Sequence, residues 1–235
     1  MTLFSTYSLD KYIAPDGSII KEQIAGPAYY LSNALKKEGE DYICESLKGF
    51  EVDILVTKNG EFGKINKKVK KKKIKFNKIS TPNIIISTIL DEFDLTNINK
   101  YDGKIFIDIQ GYVRDGSKFG KKKHWSPIKK NWKYFECLKG TSQEMKYVPQ
   151  ELFNQQKKKL LIITNANKGS IIYAYGRRYN ITQKNIIFTK DTVGAGDSFF
   201  AAFISKYTKT ANPKESAEYA TKKTSEFLKA KNTQK

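Results

Sequence analysis

The chain has 235 residues, with 43 lysines and arginines against 24 aspartates and glutamates, for a formal net charge of +19. A hydrophobic content of 39% supports a real core, and the absence of any run of about 18 apolar residues excludes a transmembrane helix. Cys44 and Cys137 are single and far apart, which excludes a CxxC zinc site and argues against a disulfide framework. The opening stretch MTLFSTYSLDKYIAP lacks the basic start and long apolar run of a signal peptide, so the cytosol is the expected compartment. The charge suggests polyanionic partners. Yet arginine occurs only at Arg114, Arg177 and Arg178, whereas nucleic-acid sites usually enlist it for bidentate contacts. Lysine shares AT-rich codons with the abundant Ile, Asn, Tyr and Phe, so genome composition accounts for much of the excess.

In chain order, residues 2–7 read as a strand and APDGS (14–18) as a turn. GPAYYLSNALKKEG (26–39) reads as a helix, with Pro27 in its first turn and Gly39 at its end. VDILV (52–56) reads as a strand followed by the turn KNGEFG, and the Lys/apolar segment to Ile79 as further strands. Within it, KKVKKKKIK (67–75) reads as a solvated strand or hairpin whose lysines protect an exposed edge. NIIIS (83–87) and KIFIDI (104–109) are buried-strand runs, with ILDEFD and a short helix after the first. WKYFECLKG (132–140) fits a strand or short helix leading into a turn. KKLLIITNA (158–166) is a buried strand, GSIIYAYGRRYNI (169–181) a hairpin, and NIIF (185–188) a strand-like run. A helix follows Asp197, SAEYATKKTSEFLKAK (216–231) is a last amphipathic helix, and NTQK is a frayed tail. The strand–helix alternation of the second half predicts a mainly parallel sheet covered on both faces. The first 80 residues predict a small β appendage.

The stretch KDTVGAGDSFFAAF (190–203) carries the chemistry. Gly194 and Gly196 permit a turn that aims several backbone N–H groups at one point, and the following helix adds the positive end of its dipole. Such a turn favours negative charge, yet Asp197 stands at its end. As a cap, Asp197 would finish the helix; as a base, it would sit beside a bound phosphoryl group. The frame is not a Walker A loop, and no G-x-S-x-G is present. The single histidine, His124, lies in a lysine-rich segment, which argues against a Ser-His-Asp triad.

DTVGAGDSFFAAF resembles the D-T-x-G-A-G-D signature of the PfkB or ribokinase family of carbohydrate and nucleoside kinases. STYSLDKY (5–12) is similar to the family's first strand, AGPAYY (25–30) to its double-glycine region, CLKGTSQE (137–144) to its N-x-x-E segment, and LIITNANKGS (161–170) to its T-x-G-x-x-G loop. PAYY and FIDIQGYVR (106–114) resemble archaeal sugar-kinase-like sequences and the myo-inositol kinases. Three positions depart from the pattern: Ala25 for a first glycine, Thr141 for an asparagine and Ala166 for a loop glycine. The chain is also shorter than is usual, with a strand–helix unit compressed between Gly39 and Thr57.

The resemblance implies an α/β, ribokinase-like three-layer sandwich: a single domain over 1–235, with a mainly parallel sheet and a small β lid from segments near 7–25 and 50–80. It implies an ATP- and Mg²⁺-dependent transfer of a phosphoryl group to a sugar or polyol hydroxyl, myo-inositol being a candidate. Asp197 would be the general base, and the N–H groups about Gly194, Ala195 and Gly196 would hold the developing charge. Thr164, Lys168, Gly169 and Thr192 would bind the nucleotide, and Asp191 and Glu144 would organise Mg²⁺. Asp10, Gly26, Gln110 and Arg114 would bind the acceptor. Read without the family, Asp10 is also a turn residue, Glu144 and Arg114 surface residues, Lys168 one of many lysines, and Tyr29 and Tyr30 core. Alternatives are a nucleoside acceptor, or a kinase-derived binding protein using its basic face for nucleic acid. The implied protein is a monomer or homodimer with no membrane partner.

Overall fold

The structure, a computed structural model, describes residues 1–58, 60–65, 69–183, 187, 189 and 191–233. The elements in chain order are β1 (Thr2–Ile13), β2 (Ile19–Ala25), α1 (Pro27–Lys37), β3 (Ile43–Thr57), β4 (Gly60–Lys64), β5 (Lys72–Lys73), β6 (Asn83–Ser87), β7 (Phe93–Asp94), β8 (Lys104–Asp108) and β9 (Phe135–Thr141). Then come α2 (Ser142–Met145), α3 (Gln150–Lys158), β10 (Leu160–Thr164), β11 (Ser170–Ala174), β12 (Arg177–Ile181), α4 (Ala195–Thr210) and α5 (Pro213–Thr233).

The main sheet runs β12-β11-β10-β9-β8-β6-β1-β3-β4, with β2 paired to β1. Pairing is parallel from β10 to β3 and antiparallel at β11, β12, β4 and β2. The isoleucines of β6 show why such strands read as continuous apolar runs. Ile84 and Ile86 enter one core with Phe4, Ile107, Trp125 and Leu152; Ile85 enters the other with Leu3, Phe106, Phe200 and Phe203. The long helices α1, α4 and α5 cover the second face. The first face carries α2 and α3 but is otherwise closed by irregular chain. There short polar side chains close local turns, Asp94 accepting from Thr96 N and Asp115 from Ser117 N.

β1 and β3 are too long for the sheet that holds their first halves. Residues 2–5 of β1 pair with β6, and from Ser8 onward its edge is taken by β2 instead. The β1–β3 register slips between Thr6 and Ser8, where β3 accommodates an extra residue around Gly49, whose φ of 80° is left-handed. Beyond that bulge, β2, the end of β1, the end of β3 and β4 form a four-stranded extension. Its inner side is apolar, with Tyr12, Val52, Ile54, Ile65 and Ile89 packed together.

Several segments differ from the sequence reading. The strand at 2–7 continues to Ile13, because β2 provides a second partner where β6 stops. Gly39–Thr57 holds no compressed strand–helix unit: a turn leads straight into the 15-residue β3. Residues 132–140 divide into a 3₁₀ turn (Lys129–Tyr134) and β9. In the lysine run, Lys72–Lys73 pairs with β7 while Ile74 is buried in the core, so the segment is pinned by one apolar residue; Lys67 and Lys68 lie outside the described residues. The reading of 185–188 as a strand also falls largely outside them, as do Gln234 and Lys235 of the tail, whereas Asn232 and Thr233 end α5.

Candidate active site

A cleft of ≈ 410 Å³ opens where the C-terminal ends of the parallel strands meet the first turn of α4 and the inner side of the extension. This is where α/β sheets collect ligands. Asp10, Gly26, Gln110, Arg114, Glu144, Thr164, Thr192, Gly194, Gly196 and Asp197 all line it. Lys168, Gly169, Asp191 and Ala195 do not.

The floor is built by the turn before α4. Gly194 is the N-cap, with a left-handed φ of 84°, and makes no side-chain cap bond. A Cβ there would stand 2.2 Å from the ring of Tyr30, so only glycine fits. Asp197 is the third residue of the helix rather than its cap. Its Oδ1 faces the Ser87 hydroxyl at 3.4 Å. Protein surrounds the carboxyl on most sides, yet it keeps an opening to the cleft. Burial pushes it up to about 7, with Asp108 adding to the rise and Lys139, Ser87 and Arg114 opposing it.

Asp10 sits in β1 where that strand enters the extension. It is buried, accepts a 2.5 Å hydrogen bond from Ser8 Oγ, and is pushed up to about 6 by burial against the pull of Ser8, Arg114 and Lys21. Gly26 has a φ of 87°, and a Cβ on it would lie 2.5 Å from the Thr6 carbonyl oxygen; the backbone can turn into α1 only without one. Arg114 donates to the Ile89 carbonyl at 3.2 Å. The loop carrying Ile89 is in turn held by Glu92, fully buried, whose two oxygens accept from Ile89 N (2.8 Å) and Leu90 N (2.7 Å).

Glu144 forms a capping box with Thr141: its Oε2 accepts from Thr141 N at 2.8 Å and its N donates to Thr141 Oγ1 at 3.2 Å. Threonine thus does at 141 the capping work that asparagine would do. Glu144 Oε1 remains in the cleft, 3.7 Å from Lys122 Nζ. Magnesium takes few direct protein ligands, and one cleft carboxylate of this kind fits it through water. Asp191 offers less. Its oxygens are held by Lys231 (2.6 Å) and Lys21 (3.1 Å), and these two cations outweigh burial to keep its carboxyl below the usual range. Its Oδ1 also accepts from Val193 N at 3.3 Å, which orders the turn. Among the described residues no group of three or more His, Cys, Asp or Glu could hold a metal ion.

In the loop after β10, the two positions that matter both take left-handed backbone angles. Ala166 adopts a left-handed φ of 48°, and Gly169 a φ of 85° at which a Cβ would meet the Ile181 carbonyl oxygen at 2.0 Å. Gly169 therefore serves the β11–β12 hairpin, while Thr164 faces the cleft.

Sequence reasoning missed Lys139, Asp108, Ser87, Glu92 and Ser8. Asp108 and Lys139 were the legible pair: each directly follows an apolar run of its strand, Ile105–Ile107 and Cys137–Leu138, and charged residues are almost never fully buried unless paired. It also placed Tyr30 among the core residues. Tyr30 is buried, but it packs on Gly194 and lines the cleft.

Residues 135–235 match the model of the pfkB family carbohydrate kinases. A pyrophosphate-dependent kinase in the ribokinase family, complexed with a pyrophosphate analog and myo-inositol, superposes with a TM-score of 0.70 at 17% identity, covering 94% of this chain and 92% of that one. The fold is that of the ribokinase family. Ribokinase from Thermotoga maritima superposes at 0.67 (16% identity, 94% and 89% covered). The nucleoside kinase of Methanocaldococcus jannaschii, an archaeal member of the ribokinase family, superposes at 0.69 (17% identity, 94% and 89% covered). No curated protein matches the chain. The ribokinase fold thus covers nearly the whole chain, while the family's sequence match begins at β9. No helix among the described residues is long and apolar enough to cross a membrane.

Proposed function

We propose that this chain is a small-molecule kinase that transfers the γ-phosphoryl group of ATP to a hydroxyl of a sugar or polyol, with Asp197 as general base. One observation carries the reading. Asp197 is a carboxyl raised to about 7 by burial, placed one turn into a helix whose N–H-rich start faces the same cleft as Asp10. A base is most effective when its pKa lies near the working pH. In this reading Asp10 grips the acceptor hydroxyls beside Arg114 and Gln110. Asp197 takes the proton of the attacking hydroxyl. The turn at Gly194–Gly196 receives the phosphoryl oxygens, its N–H groups and helix dipole offsetting the charge that develops there. Glu144 would hold Mg²⁺, which neutralises phosphate charge when bound. Asp191 orders the turn, and the inner side of the extension closes over the acceptor as a lid.

Two variations have specific support. The pyrophosphate-dependent neighbour, bound to a pyrophosphate analog and myo-inositol, makes pyrophosphate a second candidate donor. The apolar side chains of Val52, Ile54 and Ile89 on the inner side of the extension favour a nucleoside acceptor, and a nucleoside kinase is among the neighbours of the same fold. Crossing two donors, ATP and pyrophosphate, with a panel of sugars, inositol and nucleosides separates these readings. Turnover with nucleosides alone would replace the polyol assignment, and turnover with none would refute the kinase.

A further inference from the structure

Lys139 is a cation where an apolar side chain belongs. It lies on β9 in register with Asp108 of β8, on the sheet face where Cys137 and Phe106 enter the core beneath α4. Both residues are buried, Asp108 fully, and Lys139 Nζ donates to Asp108 Oδ2 at 2.5 Å. A buried ion pair is a poor device for stability, because desolvating two charges costs about as much as their attraction returns. Burial therefore gives no reason for a lysine here. The cleft does. Lys139 lines it together with Asp197 and Glu144. A Cβ on Gly196 would stand 3.0 Å from Lys139 Nζ, so the ammonium lies against the turn at the second of its two glycines. An ammonium has three N–H donors. Among the described residues, Asp108 accepts from Lys139 Nζ, the Phe200 ring lies 5.8 Å from it, and the ammonium otherwise borders the turn and the cleft.

Resting on the kinase reading above, we propose that Lys139, anchored by Asp108, is a fixed cation of the cleft beside the α4 turn and stabilises the negative charge of the phosphoryl group during transfer. In that step the acceptor oxygen forms a bond to phosphorus while the bond from phosphorus to the donor's bridging oxygen breaks. The donor leaves as ADP (or as phosphate, from pyrophosphate), and the acceptor proton passes to Asp197. Charge spreads over the equatorial oxygens of the moving group, and a preorganised cation needs no rearrangement to meet it. Lys139 also biases the base. The groups facing Asp197 are Lys139 and Asp108 from the sheet, Ser87 from β6, Arg114 from the loop after β8 and Tyr30 from α1. Of those that keep Asp197 ionised, Lys139 acts most strongly, and its effect exceeds the opposing one of Asp108.

The test is the paired variant Lys139→Met with Asp108→Asn, which leaves no buried charge unpaired, and Lys139→Gln, which keeps a donor for Asp108 without the charge. Thermal unfolding selects whichever folds. The expected result is a fall in kcat of roughly a hundredfold, with the acid limb of kcat/KM moved to higher pH. Binding of ADP with aluminium fluoride, which mimics the phosphoryl group in transfer, should weaken at least tenfold while ADP alone binds unchanged. A folded variant with wild-type kcat, acid limb and aluminium-fluoride binding would overturn the proposal. Asp197→Asn separates the two readings. Full turnover in that variant removes the base, while the aluminium-fluoride measurement on the Lys139 variants still reports the cation.

Discussion

Replacing Asp197 by Asn pits activity against stability in one substitution. The folded carboxyl is held at about 7 against an ordinary 3.8. The folded state therefore binds a proton more tightly than the unfolded chain does. The sign follows: relative stability is greatest below the unfolded value and declines as pH rises from about 4 through about 7. Each pH unit of separation is worth about 1.4 kcal/mol, which gives roughly 4 kcal/mol at full strength. Asp197 opens to the cleft, where solvent screens it, so about half of that, ~2 kcal/mol, is a realistic cost at pH 8. Asparagine carries no charge to desolvate. Asp197→Asn should gain ~2 kcal/mol at pH 8, a rise in Tm of roughly 4–8 °C for a chain of this size, and gain nothing near pH 4. Turnover should fall by roughly a hundredfold to ten-thousandfold. Thermal unfolding at the two pH values and donor consumption with the best acceptor measure both arms. Unchanged turnover would refute the base. A Tm gain equal at both pH values would refute the buried-charge argument.

Three further outcomes follow from the geometry. Gly194→Ala puts a methyl 2.2 Å from the Tyr30 ring at a φ of 84°, so it should lower stability by about 2 kcal/mol or more and abolish turnover; wild-type unfolding would contradict the close approach. Glu92→Ala leaves the amides of Ile89 and Leu90 without their acceptor, which should cost about 2–4 kcal/mol and raise the acceptor KM more than it lowers kcat. Ala166→Gly releases ~1 kcal/mol of left-handed strain and adds ~0.5 kcal/mol of unfolded-state freedom; the net gain of about 0.5 kcal/mol is checked by denaturant unfolding, and a loss beyond 1 kcal/mol would contradict it.

The central strands were legible because each is buried on both faces and so spells an uninterrupted apolar run, as NIIIS does for β6. The hairpin at 170–181 and the start of α4 were legible from turn chemistry at Gly176 and Gly194. What escaped is long-range. Nothing local to β1 says that it changes partners at Ser8, since the change depends on β6 ending at Ser87 and on β2 folding back. The site shows the same division. Asp197 and Gly194 announce themselves by residue type at a strand–helix junction, and Asp10, inside β1, is legible only through the family resemblance. Lys139 acquires its meaning from Asp108, 31 positions earlier in sequence, and from a glycine on a different helix. Asp191 shows the same dependence on distant chain: the family resemblance suggests a metal-organising role, and its carboxylate is paired with Lys231, at the far end of α5.

Phosphorus NMR of the unmodified protein with Mg²⁺, ATP or pyrophosphate, and each acceptor in turn tests the central claim most directly. The account predicts a new phosphomonoester resonance that grows only when a hydroxyl acceptor is present, matched by loss of the donor signal and suppressed in Asp197→Asn. A folded protein that consumes neither donor with any sugar, polyol or nucleoside would contradict it.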